Sequence, residues 1–401
     1  MVRESLWLTE QWAISPYNFV EDVRKEMQFP SKVIFYDVTL RDGEQTPGMV
    51  LRKDEKVRIA RGLDELGIQR IEAGMPVVSP EDMEAVKEIA HLGLQAEIWS
   101  FCRCVRSDID ACISCGVDSV VCEIPTSDLK MKAYKLSRES VINRIMDAVT
   151  YAKERGLRVA FFAVDATRAE LDFLKEVYLL AVRDAHADEV VMVDTLGVAL
   201  PEAIYYLTSK VREWVDVPIH VHCHNDFGLA TACTLAAVQA GARCIHSTVL
   251  GIGEKAGNTD TAEVALTLEL LCNVDTELNL DKLNRVSKLV EELSGYKMAP
   301  NKTVVGENVF KRESGLAVQQ LVNYPPAVEG FAPELVGGTR QIVLGKKSGG
   351  HSVEWKLREM GVQATAEQVM SILKEVKSES EKRKGLINDE EFKAIARKVL
   401  E

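Results

Sequence analysis

Three of the chain's seven histidines stand in one short run, His220-Val-His222-Cys-His224-Asn225-Asp226. On an extended strand, residues i and i+2 point to one side, so His222 and His224 can hold a single ion. His220 shares that side but lies about 6–7 Å further along by strand rise, and is expected in the interior. An isolated pair of this kind is equally well explained as two hydrogen-bonded core histidines, so a carboxylate at the same rim is needed, and Asp42 is the candidate. Imidazole plus carboxylate suits Zn²⁺, Mn²⁺, Co²⁺ or Mg²⁺ and leaves coordination positions open. An open site points to Lewis-acid polarisation of a carbonyl. Arg41, beside Asp42, is placed to face an oxygen that gains negative charge, unless it is spent on an ion pair with Glu44 or Glu72. Cys112-Ile-Ser-Cys115 has the spacing of a redox or zinc motif. It falls on an expected helix with no second such pair, so it reads as structural thiols.

Short β-branched apolar runs at 33–38, 70–74, 96–101, 119–124, 158–164, 190–194, 218–222 and 244–250 alternate with helically spaced stretches at 52–66, 80–91, 107–115, 138–155, 169–185, 200–213, 226–240 and 259–272. Eight strand–helix units over about 240 residues predict a TIM (β/α)8 barrel. The rival, a doubly wound open sheet, calls for a Gly-rich phosphate turn after the first strand. There the sequence reads DVTLRDGEQ, with one glycine. In a barrel, the strand C-termini and the loops after them build the site. Those positions hold Asp37, Thr39, Arg41, Asp42, Glu44 and Gln45, then Glu72, Arg103, Ser127, Asp128, Asp165, Thr167, Arg168, Asp194 and Thr195, and finally His222, His224, Asn225, Glu254, Lys255 and Asn258. So many polar groups on one face exceed what packing needs. The run Gly251-Ile-Gly253-Glu254-Lys255-Ala-Gly257-Asn258 matches no strict nucleotide motif and reads by itself as a flexible turn.

Four segments are expected: an N-terminal arm (1–30), the barrel (31–275), a linker subdomain (276–349) with a helix near 280–296 followed by a Gly/Asn/Pro-containing stretch from 299 to 349, and a small, charge-rich helical C-terminal subdomain (350–401). The arm carries Trp7, Trp12, Tyr17 and Phe19, which would pack on the barrel's outside or on a second subunit. Lys+Arg 49 against Asp+Glu 61, a formal charge of −12, argues against nucleic acid as a partner. No apolar run is long enough to span a membrane, and the N-terminus lacks a secretory pattern. Nine scattered cysteines suit a reducing cytoplasm.

The segments Asp37-Val-Thr-Leu-Arg-Asp-Gly-Glu-Gln45, Glu72-Ala-Gly74, Asp194-Thr195-Leu-Gly197, His222-Cys-His-Asn-Asp-Phe-Gly228 and Gly251–Asn258 together resemble the DRE-TIM metallolyase superfamily. Its homocitrate, 2-isopropylmalate and citramalate synthases are the nearest in pattern. The resemblance continues through Asn301-Lys302, Gly306-Glu-Asn308, Glu313-Ser-Gly315 and Leu344-Gly-Lys346. It implies a divalent ion held by Asp42, His222 and His224, with Asn258 nearby or as a further ligand. Arg41 would stabilise the oxyanion, while Gln45, Glu72 and Thr195 would position a 2-oxo acid; Arg103 is a further candidate for its side chain. The implied reaction joins acetyl-CoA to a 2-oxo acid, giving a 2-substituted malate for amino-acid biosynthesis, in a homodimer. A lyase or aldolase on a 2-hydroxy acid or hydroxyacyl-CoA is the alternative on the same ion. The chain departs from the pattern at Val164, where related synthases carry Glu, at Lys130 and Lys347 in place of His, and along Arg312–Val318, where a tail histidine is replaced. The ion-and-oxyanion half of the implied machinery is therefore complete, and the acyl-CoA half altered.

Overall fold

The apolar runs become eight parallel strands in a computed structural model that describes residues 4–25 and 27–401; residues 1–3 and 26 of the expected arm lie outside the described residues. The strands are β1 (Ile34–Asp37), β2 (Arg70–Glu72), β3 (Glu97–Arg103), β4 (Ser119–Pro125), β5 (Arg158–Val164), β6 (Glu189–Asp194), β7 (Ile219–Cys223) and β8 (Cys244–Ser247). They pair in sequence order, and β8 closes onto β1 with Cys244 opposite Ile34 and Ser247 opposite Asp37. Strands this apolar must be covered on both faces. Outside, they are covered by helices that include Lys53–Leu66, Pro80–Ala90, Arg138–Glu154 and Pro201–Trp214. Inside, Tyr36, Trp99, Phe101, Val121, Ala160, Phe162, Val191, Val193 and Cys244 form a buried core, as expected of a barrel filled by side chains.

Helix starts follow local chemistry. Ser79 Oγ accepts from Asp82 N at 3.0 Å ahead of Pro80, and Ser137 caps Arg138–Glu154 in the same way. Two expected helices end in a wider π turn, at Leu180–Asp184 and Thr267–Cys272. A short helix at Asp128–Tyr134, capped by Ser127, was not expected. It is brief and polar, and its apolar positions show no sustained period.

Contacts group the chain into two units, Glu21–Met298 and Met1–Val20 with Ala299–Glu401. The barrel unit runs past residue 275, where the sequence pattern placed a linker. Helix Leu283–Ser294 packs its apolar face on Lys53–Leu66, where Gly62 lets Leu289 and Val286 approach. The other unit has a buried core of Leu344, Val353, Leu357, Val369, Ile372, Leu373, Val376, Ile387, Phe392 and Ala396, drawn mainly from helices Gly350–Glu359, Ala366–Arg383 and Asp389–Leu400. It also holds a parallel pair, Lys311–Arg312 with Gln341–Ile342, and a helix at Gly315–Asn323 within the expected linker. The expected arm divides: Arg24 donates to Cys272 O at 2.7 Å and Leu271 O at 3.1 Å within the barrel unit, while the described residues up to Val20 pair within this other unit. Ala13 N bonds Gly330 O at 3.0 Å, Ala332 N bonds Gln11 O at 2.7 Å, and Trp12 bridges to Phe331.

Candidate active site

The chain leaves β1 in a tight turn. Gly43 N donates to Val38 O at 3.0 Å and Arg41 N to the same oxygen at 3.2 Å, while buried Leu40 anchors the bend. Arg41 and Asp42 are thereby turned into the barrel mouth, where both are buried. Asp37, a rim candidate, serves this turn: Thr39 N and Thr39 Oγ1 donate to its two oxygens at 2.8 and 3.0 Å. Burial pushes its carboxyl up to about 7, against those two bonds.

His222 and His224 lie at and just past the end of β7, both buried. Their Nε2 atoms are 3.4 Å apart and lie 3.7 and 3.8 Å from Asp42 Oδ2. Ligand atoms about 2.0–2.2 Å from one ion stand at about this mutual spacing. Burial depresses both imidazoles, with Asp42 opposing, so neutral nitrogens are offered at neutral pH. For Asp42, burial works to raise the carboxyl, but Arg41 and the two histidines overcome it and hold it below the usual carboxylate range.

Asn258 completes the cluster. Its Nδ2 donates to Asp42 Oδ1 at 2.7 Å and to Ile252 O at 3.1 Å. Its Oδ1 is buried without a hydrogen-bond partner. A buried amide oxygen left unpaired costs free energy, and a cation would satisfy it. One carboxylate, two neutral imidazoles and one orphan carbonyl oxygen therefore fit a divalent ion. The loop after β8 is not the flexible turn read from its glycines. Gly253, at φ +152°, gives Asn258 room: a Cβ there would meet Asn258 Nδ2 at 2.1 Å and Asp42 Oδ1 at 2.9 Å.

Arg41 is held by two carboxylates. Nη1 bonds Asp42 Oδ2 at 2.7 Å, and Nε bonds Glu72. The ion pair expected with Glu44 or Glu72 falls on Glu72; Glu44 is taken by Lys56 at 2.5 Å. Nη2 of Arg41 remains buried without a partner. Glu72 uses both oxygens, the other accepting from Tyr36 Oη at 2.9 Å, so it acts through Arg41.

The remaining predicted residues are spread around the mouth. Thr195 Oγ1 accepts from Asp165 N at 2.8 Å. Asp194 is engaged by Thr167 Oγ1 at 2.8 Å and by the N–H groups of Val198 and Ala199, and Asp165 by Arg168 and Ser127. Lys255 Nζ reaches Thr195 O at 3.0 Å and His224 Nδ1 at 3.3 Å. Gln45 is exposed. Asp128 turns outward to Arg138 at 3.0 Å. Arg103 bonds Asp108 at 2.7 and 2.9 Å while lining a cavity of about 220 Å³ with Glu123, Tyr134, Leu136, Arg144 and Val164.

Glu123 was missed in the sequence. Counting by two from the buried core residue Val121 places it inward, a signal obscured because it follows an unbroken apolar run. No hydrogen bond to its carboxylate is found among the described residues. Burial raises its pKa, against the charges of Arg41, Arg103 and Lys130. All nine cysteines are buried free thiols, the Cys112/Cys115 pair included. In the other unit, Val318 is a core residue beside Leu321 and Ile342, and Arg312 donates to the backbone oxygens of Val309, Lys311 and Val328.

Residues 32–290 match the family described as HMGL-like, and residues 304–384 match the homocitrate synthase post-HMGL domain-like family. Homocitrate synthase AksA of Methanopyrus kandleri is 47% identical over 96% of this chain and 97% of its own length. The 2-isopropylmalate synthase of Methanocaldococcus jannaschii is 44% identical over 96% of this chain and 74% of its own. The chain belongs to the HMGL-like family. Within it, the chain is an enzyme of the alkylmalate synthase type, in the group of the homocitrate, 2-isopropylmalate and citramalate synthases. Among solved structures, the HMG-CoA lyase of Bacillus subtilis superposes with a TM-score of 0.62 at 19% identity, over 69% of this chain and 98% of that one; at that distance the likeness concerns the fold.

Proposed function

We propose that this alkylmalate-synthase-type enzyme joins the methyl carbon of acetyl-CoA to the keto carbon of a 2-oxo acid at the Asp42–His222–His224 centre. A divalent ion bound there would polarise the keto group and gather the two oxygens of the oxo acid. The observation that carries the reading is the pair of orphan atoms beside those ligands, Asn258 Oδ1 and Arg41 Nη2. A cation would satisfy the first, and the second is a donor free to bind an oxyanion. Arg41, fixed on Glu72 and Asp42, directs Nη2 at the oxygen that becomes negative as the new bond forms. Thr195, with Oγ1 anchored by Asp165 N, retains its own hydroxyl proton for the substrate carboxylate, and Gln45 and Arg103 lie at the mouth for the rest of it.

Removal of a methyl proton from acetyl-CoA requires a base. Val164 cannot serve, and Glu123 in the adjoining cavity supplies a carboxylate whose raised pKa makes it a stronger base than an exposed one. Hydrolysis of the resulting thioester makes the step irreversible and frees CoA. Buried free thiols suit a reducing cytoplasm, and we propose a homodimer there, the assembly implied by the resemblance; light scattering would report a mass near twice 44.5 kDa. Among the described residues, no helix is long and apolar enough to cross a membrane.

The test is thiol release across a panel of 2-oxo acids, with and without added metal. Free CoA should form only when metal, one of the oxo acids and acetyl-CoA are all present. CoA release that is independent of metal, or absent across the whole panel, contradicts the reading.

A further inference from the structure

Beneath the metal-ligand cluster, the barrel axis is occupied by imidazoles. His222 Nδ1 lies 3.3 Å from His246 Nδ1, and His246 Nε2 lies 3.0 Å from His220 Nδ1. His220 Nε2 bonds the Glu189 carboxylate. All four side chains are buried. Tyr36 stacks on His246 with centroids 4.2 Å apart, while Phe162 and Trp99 stand edge-on to His222 and His220, so the ring planes are clamped. At the far mouth, Arg70 bonds Glu189 at 2.7 Å and Glu97 at 2.9 Å, and Arg158 bonds the same two carboxylates.

Burial lowers the His220 imidazole, while Cys244 and Glu189 push it up to about 9. Arg70 and Arg158 already balance Glu189 and Glu97, so a charged ring would leave an unmatched buried positive charge, and the relay requires neutral imidazoles. A neutral imidazole has one N–H and one lone pair, and a carboxylate only accepts. The chain can then run in one direction. His220 Nε2–H donates to Glu189, leaving Nδ1 to accept from His246 Nε2–H. His246 Nδ1 in turn accepts from His222 Nδ1–H, which leaves the lone pair of His222 Nε2 facing Asp42 and His224. The reverse direction would place a proton where the ion must sit.

We propose that Glu189, His220 and His246 are positioning residues that fix His222 in the tautomer competent to bind the ion. A metal-bound histidine commonly donates its other N–H to a carboxylate; here the carboxylate is reached through two further rings, from the opposite end of the barrel. The proposal rests on His222 being a ligand. It also accounts for the cluster of His220, Cys244 and His246 without a second ion, which Arg70 Nη1, 3.9 Å from Cys244 Sγ, would oppose.

The test begins with the unaltered protein, labelled with ¹⁵N at histidine, as metal-free and Zn²⁺-loaded samples. Long-range ¹H–¹⁵N correlations should show His222 as Nδ1–H and both His220 and His246 as Nε2–H in each sample, with one ion bound per chain in the Zn²⁺-loaded one. His220→Phe, which keeps the ring volume, should weaken Zn²⁺ binding by about 10- to 100-fold and mix the His222 tautomers in the metal-free form. Zn²⁺ bound to His222 while His246 carries its proton on Nδ1, or a folded His220→Phe with unchanged affinity, overturns the relay and leaves the ion site standing. A second ion that is lost in Cys244→Ala also overturns the relay. Zn²⁺ binding that survives His222→Ala unchanged overturns the ion reading, and the relay falls with it.

Discussion

Arg41 illustrates how a single side chain is prepared for one bond. Nε and Nη1 are held by Glu72 and Asp42, its guanidinium lies 4.0 Å from the centroid of Phe101, and Nη2 is left over. A lysine cannot reproduce three directed donors. Arg41→Lys should therefore lower kcat by about 10²–10³-fold while metal content, read by elemental analysis, stays near wild type. A normal kcat would remove Arg41 from the oxyanion role. At Glu123, loss of the base in Glu123→Gln should cut kcat by at least about 100-fold with little change in melting temperature. In the wild type, kcat should rise as pH climbs through the raised Glu123 pKa and then level off; a pH-independent wild-type profile speaks against this base. His222 and His224 could be nominated from the sequence because two histidines two apart on a strand share a side. That spacing left a hydrogen-bonded core pair equally open, and Asp42, a candidate at the same rim, joined them as a ligand set only through the motif resemblance. Glu123, Glu189 and His246 were not legible, since a polar residue inside a strand declares its partners only once neighbouring strands are in register.

At the scale of elements, the loop after β8 does the most for the site. Its residues take left-handed backbone conformations at Leu250 and Lys255 as well as at its glycines, and Gly257 N bonds Glu254 O at 3.0 Å while Asn258 N bonds Gly251 O at 3.1 Å. Gly253→Ala would drive a methyl group into Asn258 and Asp42, so metal affinity should fall by at least about tenfold while the barrel still folds. Calorimetric titration with Mn²⁺ would show this, and unchanged affinity would mean that the loop does not set the position of Asn258. The strands and most outer helices were legible because apolar period and length separate the two types cleanly. The π turns were not, because they continue a helix without altering its apolar spacing.

For the whole molecule, the far end of the barrel carries a charge network around buried Arg70 and Glu189, reaching exposed Glu97 and half-buried Arg158, that the sequence did not disclose, since its members come from β2, β3, β5 and β6. Burial works to raise the Glu189 carboxyl, but hydrogen bonds from His220 and Arg70 hold it at about 2. A depressed carboxylate contributes stability that is present above its unfolded value, about 4.3, and is lost as pH falls toward 2. That contribution is on the order of 3 kcal/mol, and it predicts a steep acid limb in denaturant melts between pH 4 and 2. Glu189→Gln should flatten this limb, and an identical limb in the variant would show that the network does not couple to folding. A helix near 280–296 was legible from its apolar spacing, but which unit it and the segment up to Val20 would join was not, because those contacts are distant in sequence. The central claim concerns one ion at the barrel mouth, and crystals soaked in Mn²⁺ and measured for anomalous scattering test it most directly. The account predicts one peak about 2.0–2.3 Å from Asp42 Oδ2, His222 Nε2 and His224 Nε2. A peak elsewhere, or none with those three side chains in place, would contradict it.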